Sequence, residues 1–144
     1  SLLDIRLAQE QLRIQSMALV QSPTSIVITD VNGIIQYVNP YFVEESGYSA
    51  AEAIGQSLDI IIPESLREAH WRGFHAAIAS GRTRLNGRPT VTRALHKSGA
   101  TLYVEMSFAM VCATSGEVIG SVAVARDATE RVQREKAARS AGAG

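Results

Sequence analysis

The sequence lacks the features of several protein classes. Its 144 residues contain a single cysteine, Cys112, so an internal disulfide is impossible and a reducing, cytoplasmic location is expected. Basic and acidic side chains number 14 each, and no block of one sign indicates a nucleic-acid surface. Apolar runs long enough to cross a membrane are also absent. These absences leave an ordinary globular domain, with Cys112 expected to be buried and unreactive at the end of an apolar strand.

Motifs of catalysis are missing as well. The sequence contains no G-x-S-x-G elbow, no Walker loop and no metalloprotease helix. Glu44 and Glu45 are adjacent, so they diverge on a helix, and a solvated face is expected for both. His70 and His75 lie about 140° apart around a helix, which prevents them from chelating one metal ion. We therefore expect this segment not to be an enzyme.

The clearest pattern that is present is a helix over residues 63–81, PESLREAHWRGFHAAIASG. Pro63 favours its first turn and Gly81 its end. Apolar positions at three- and four-residue steps place five residues on one face: Leu66, His70, Phe74, Ala77 and Ile78. An imidazole in an apolar stripe requires a partner. His70 therefore either bonds within the core or faces a pocket and holds a ligand.

The N-terminal residues 1–21 form a second helical pattern. Ile5, Leu12 and Leu19 fall seven residues apart. This spacing is compatible with a coiled-coil helix that forms a homodimer through residues 2–20, and equally with an amphipathic helix packed on its own domain.

Strand patterns fill most of the remaining chain. Two of them, 25–29 and 34–38, flank an Asn32-Gly33 turn, and three more cover 89–96, 101–111 and 118–126. Alternation in the fourth strand places Met106 and Phe108 on one face. A polar helix follows over residues 128–140, capped by Asp127 with Glu130 in its first turn. The order of elements predicts an α+β domain over residues 22–127, with one antiparallel sheet, helices on one sheet face and a linker helix and tail over 128–144.

Three motifs in this order resemble the PAS domain, or sensory box, family over roughly residues 22–130. They are ITDVNGIIQYVNPYFVEESGYSAAEAIGQ, the KSG turn and RDATER. The resemblance implies a five-stranded antiparallel sheet in the order 2-1-5-4-3, with helices enclosing a ligand pocket against one sheet face. Alternation along the fourth strand then predicts that Met106 and Phe108 face that pocket, on the side that His70 also faces. It also implies a sensory module of a larger signal-transduction protein, such as a two-component histidine kinase or a cyclic-di-nucleotide enzyme. Asp127, Thr129 and Glu130 resemble the family's ending, which leads to an adjacent output domain.

The stretch PESLREAHWRGF is similar to haem-binding PAS oxygen sensors. The resemblance implies that His70 is the proximal ligand of a b-type haem, and haem iron is the one metal expected here. Phe74, Met106 and Phe108 would then contribute to the pocket, and Arg88 would bond a bound gas or a haem propionate. The sequence departs from both groups of those sensors. One group carries a distal arginine at the position of Thr90, and the other carries a methionine at the position of Arg88.

Two other interpretations accompany the haem hypothesis. The asparagine-cysteine-arginine motif of flavin-binding light sensors is absent, which argues against a flavin photoadduct. A cofactor-free dimerisation scaffold, whose cavity is filled by Phe74, Met106 and Phe108, remains the alternative function.

Overall fold

The structure, a computed structural model, describes residues 1–8, 24–81 and 88–143. Residues 2–8 are helical (α1), and the prediction for residues 9–21 lies outside the described residues. The sheet and helices that follow are β1 (Ser25–Asp30), β2 (Ile35–Val38), α2 (Pro40–Ser46), α3 (Ala50–Ala53), the 3-10 helix Leu58–Ile61, α4 (Glu64–Ser80), β3 (Thr90–Leu95), β4 (Thr101–Cys112), β5 (Val118–Asp127) and α5 (Thr129–Ala143).

The five strands form one antiparallel sheet in the order β2-β1-β5-β4-β3. The sequence-based expectation of this fold is confirmed. The first and last strands of the domain pair at the centre, in a register that runs from Ser25 opposite Ala125 to Asp30 opposite Gly120. This long-range pairing closes the domain, because it joins segments that are far apart in the chain.

The two sheet faces carry different elements. On the inner face, α2, α3, the 3-10 helix and α4 cover a core of Val27, Ile35, Val38, Phe42, Ala53, Leu58 and Phe74. On the outer face, Ile5 of α1 packs against Ile26 and Ile28 of β1. At Ile5, therefore, the N-terminal helix packs on its own domain.

Asn39 fixes α2 to the edge of β1. Its side-chain oxygen accepts hydrogen bonds from the backbone N–H of Ile26 at 2.9 Å and of Phe42 at 3.1 Å. Its amide donates to the carbonyl of Thr24 at 2.7 Å. Asn39 therefore caps the helix, as its type and the following Pro40 indicate, and also determines where α2 lies over the sheet.

Cys112 differs from the expectation. It is exposed rather than buried. The pairing of β4 with β5 shifts in register between Val111 and Cys112, and Cys112 is the last residue of its strand. Burial in this strand therefore ends at Val111, which is 8% exposed. Among the helices of the described residues, none is long and apolar enough to span a bilayer.

Candidate functional site

A cavity of about 540 Å³ lies between the inner sheet face and the covering helices. Its volume is within the usual range for small-molecule and cofactor sites. The helical side of the wall includes Phe42 and Glu45 of α2, Leu58 and Ile61 of the 3-10 helix, and Leu66 and His70 of α4. The cavity is therefore bounded by elements that also form the core.

Paired residues of adjacent strands form the cavity floor. Two rows cross the sheet, Ser25–Ala125–Met106–Thr90 and Val27–Ala123–Phe108. Alanines occupy β5 at the middle of both rows. Their side chains are the smallest that still carry a Cβ, which leaves space above the centre of the sheet where larger residues would close it.

A hydroxyl pair adds a polar point to this floor. The side chains of Thr29 and Ser121 lie 2.7 Å apart, and each residue is 1% exposed. Because each hydroxyl has a partner, the pair crosses the β1–β5 interface without an unsatisfied buried group. Sequence patterns did not single out either residue.

His70 lines the cavity from α4, as the helical spacing predicts. Its ring lies 4.7 Å from that of Trp71 and 5.9 Å from that of Phe74. Its Nδ1 is buried and has no hydrogen-bond partner among the described residues. Burial lowers the pKa of His70, a shift that the nearby Asp59 carboxylate opposes in part. The site therefore presents a neutral imidazole with an unused nitrogen.

The other residues predicted for the site separate into two groups. Met106 and Phe108 lie in the cavity wall, on the face that alternation predicts. Phe74 is 2% exposed and belongs to the core, where its ring packs 5.9 Å from that of Phe108. Arg88 is exposed ahead of β3 and is not a wall residue. Phe74 thus packs behind the wall, and Arg88 lies outside it.

Glu45 is an acidic wall residue that the sequence analysis missed. It was expected on a solvated face with Glu44; Glu44 is exposed, but Glu45 is partly buried and lines the cavity. The hydroxyl of Ser25 donates to its carboxylate at 3.3 Å. Burial, and then the negative charge of Asp127, raise the pKa of Glu45. The signal was its spacing from the apolar Phe42, since residues three apart share a helix face.

Asp127 connects the cavity floor to α5. It lies opposite Val104, a wall residue, so both occupy the inner sheet face. Its carboxylate accepts the backbone N–H of Thr129 at 2.8 Å and so caps α5. Thr129 in turn accepts the backbone N–H of Tyr103 through its hydroxyl at 3.1 Å. Glu130 is exposed in the first turn of the helix.

The outer face of β4 holds the next turns of α5. Tyr103 and Glu105 alternate along the strand with Leu102 and Val104 of the cavity wall. Arg131 donates to Glu105 at 2.6 Å, and the Lys136 ammonium donates to the Tyr103 hydroxyl at 2.8 Å. One strand therefore contacts the cavity on one side and the C-terminal helix on the other.

Comparisons with known proteins agree with this architecture. Residues 23–130 match a family model described as PAS domain. The chain is 29% identical over 120 residues to the oxygen sensor protein DosP of Escherichia coli strain K12, covering 83% of this chain and 15% of that protein. A PAS domain from Colwellia psychrerythraea aligns at 24% identity with a TM-score of 0.68, covering 83% of this chain and 97% of that one. An RNA-binding light-oxygen-voltage receptor aligns at 25% identity with a TM-score of 0.70, covering 91% of this chain and 37% of the receptor.

Proposed function

The chain belongs to the PAS-domain family, and from that premise we propose that it is a sensory module of a larger signal-transduction protein. A small molecule bound in the cavity biases the domain between two arrangements of the sheet and α5. The segment performs no catalysis of its own. It acts on an output domain joined to the C-terminal helix, in the cytoplasm.

The observation that carries this proposal is the double role of β4. Leu102, Val104 and Met106 line the cavity, while Tyr103 and Glu105 between them hold α5. A ligand that displaces the wall residues must move the backbone that carries both sets. The side-chain bonds from Arg131 and Lys136 to this strand lie at exposed positions, where such bonds are individually weak, and the part-buried contact of Thr129 with Tyr103 joins the start of α5 directly to the strand backbone. A small displacement of β4 is therefore sufficient to loosen or tilt the helix.

A b-type haem is one ligand that the wall residues fit. The neutral imidazole of His70 has a buried Nδ1 without a hydrogen-bond partner among the described residues, and most of the cavity wall is apolar. His70 would hold the iron, with Met106 and Phe108 contributing to the enclosing wall; the similarity to an oxygen sensor protein supports this choice. Bound haem would supply reversible binding of O₂, CO or NO, or a change of redox state.

A flavin photoadduct has less support in this chain. The sequence has one cysteine, Cys112, and it is exposed at the end of β4 rather than in the cavity wall. A covalent adduct requires a thiol beside the flavin ring, and no wall residue supplies one.

Titration of the purified protein with haemin tests the haem candidate. We expect a Soret band that shifts on reduction and again with CO, and we expect its loss in His70→Leu. His75→Leu, on the exposed face of the same helix, is the matched control and should keep the band. A Soret band that persists in His70→Leu would show that His70 does not bind the haem iron. Absence of a Soret band from the wild-type protein would exclude haem as the ligand.

A separate measurement tests whether binding in the cavity affects α5. It is hydrogen exchange at the backbone amides of residues 129–143. Exchange there should change when a cavity ligand binds, since the helix is held by the strand that forms the wall. A ligand that binds in the cavity yet leaves this exchange unchanged would contradict the sensory proposal, whatever the ligand is.

A dimerisation scaffold is the second candidate, favoured by the leucines of α1. While Ile5 is buried, Leu2, Leu3 and Leu7 are 62%, 65% and 58% exposed. Burying three leucines against a second copy of the chain would stabilise a homodimer through the N-terminal helix.

Substitution of these three leucines by glutamine should weaken self-association by about tenfold or more, because their apolar area is lost from the interface. Sedimentation equilibrium measures the dissociation constant. Ile54→Gln, at an exposed apolar residue far from α1 in the chain, is the control and should have no effect. Wild-type protein that stays monomeric at all concentrations would eliminate the scaffold.

A further inference from the structure

We propose that the cavity binds an amphiphilic amine, with the protonated nitrogen of the ligand at Glu45 and its apolar part along the alanine-lined floor. The inference rests on the sensory function proposed above and names the ligand class of that cavity. Its basis is a carboxylate built into the wall of a mostly apolar chamber, on a different helix from His70.

The surroundings of Glu45 provide donors but no counter-ion. Ser25 donates to the carboxylate at 3.3 Å, and interactions with Ser25 and Tyr41 offset in part the effects that raise the pKa of Glu45. Among the described residues, no lysine, arginine or histidine forms an ion pair with it. A carboxylate accepts about four hydrogen bonds, so acceptor positions remain for a ligand.

A second negative charge makes this end of the cavity more favourable for a cation. Asp127 projects from the inner face of β5, two residues beyond Ala125, which pairs with Ser25. The burial of Glu45 and then the charge of Asp127 disfavour its ionised form and so raise the pKa of Glu45. An ammonium group would offset both effects at once, and charge-assisted bonds of this type are about twice as strong as neutral ones.

The floor beside Glu45 suits the rest of such a ligand. From Ser25 the row continues through Ala125 to Met106, and the neighbouring row through Ala123 to Phe108. An alkyl or aryl group lying on these side chains would be removed from water. The wall therefore combines an acceptor at one point with an apolar surface directly adjoining it.

The position of the charge also suggests how binding would reach the output. The carboxylate of Asp127 caps α5 through the backbone N–H of Thr129. A cation placed at Glu45 would attract the Asp127 carboxylate as well, and would compete with the cap for it. Loss or weakening of the cap frays the first turn of the helix.

Three probes of equal chain length, hexylamine, hexanol and hexanoate, distinguish the contribution of the headgroup to binding from that of the hydrocarbon chain. Binding to the purified protein at neutral pH is followed by the fluorescence of Trp71, the one tryptophan of the chain, whose ring contacts that of His70. We expect hexylamine to bind about tenfold more tightly than hexanoate, with hexanol between them, because an ammonium at Glu45 gains charge-assisted hydrogen bonds. In Glu45→Gln the three affinities should become nearly equal.

Glu44→Gln is the matched control. It changes the same charge on the same helix, but Glu44 is exposed and outside the cavity wall, so the preference for the amine should remain. Equal or tighter binding of hexanoate, an unchanged preference in Glu45→Gln, or no binding of any probe would each overturn the inference. Hydrogen exchange at the backbone amides of residues 129–143, measured with each probe bound, distinguishes failure of the amine inference from failure of the sensory proposal. A change in exchange produced by hexanol or hexanoate would support the sensory function even where the amine inference fails.

Discussion

Gly120→Ala is expected to destabilise the domain by about 3 kcal/mol or more, the upper part of the range for forcing extra volume into a packed interior. Gly120 lies in β5 between Asp30 of β1 and Val111 of β4. A Cβ there would collide with the backbone carbonyl oxygen of Thr29 and come within 3.1 Å of its carbonyl carbon. The clash is with backbone in the central strand pair, so no side-chain rotation relieves it.

Chemical denaturation, followed by circular dichroism, measures this effect. The matched control is Gly73→Ala in α4, where a Cβ would meet nothing within 4 Å. That variant should be stabilised by about 0.5–1 kcal/mol, since alanine loses less backbone freedom than glycine in a helix. The glycine-to-alanine substitution should therefore lower the free energy of unfolding at position 120 and raise it at position 73. Equal stabilities for the two variants would mean that β1 and β5 do not approach as closely as the structure indicates.

His70→Leu is expected to stabilise the ligand-free protein, by about 1–3 kcal/mol if the full desolvation of the unpartnered Nδ1 is recovered. Leucine keeps an apolar side chain against Phe74 and Trp71 while removing the buried polar atom. The result would identify His70 as a residue that lowers the stability of the ligand-free fold, as expected for a side chain whose role is to bind a ligand.

The pH dependence of this variant gives a second measurement. Burial holds the pKa of folded His70 below its ordinary value of 6.5, so the unfolded chain binds the proton more readily. Wild-type stability should therefore fall as the pH drops below 6.5 towards the lowered pKa, and His70→Leu should lack this loss. The advantage of the variant grows on acidification. His75→Leu, at an exposed site, should stay within about 0.5 kcal/mol of wild type. An advantage that shrinks on acidification would contradict a buried neutral imidazole.

Prediction from sequence succeeded where structure depends on neighbours in the chain. The helix that carries His70 ends at Gly81, whose left-handed φ of 75° is the conformation that glycine favours. Alternation along β4 placed Met106 and Phe108 on the cavity side, and Asn39 before Pro40 marked the start of α2. The family and the sheet order, both inferred by resemblance, are confirmed. The functional roles of the site residues stay predictions.

The features that the sequence analysis missed depend on partners distant in the chain. Glu45 is a wall residue because α2 is fixed over β1 and beside the end of β5, and Gly120 is needed because Thr29 passes directly against it. Local patterns contain the periodicities and caps that determined the elements of this protein, their order and the apolar face of α4. They do not contain the register between the first and last strands. Helical spacing places Glu45 on the face of Phe42, but only the tertiary structure decided that this face borders a cavity, because the cavity floor forms by pairing of β1 with β5, from Ser25 opposite Ala125 to Asp30 opposite Gly120.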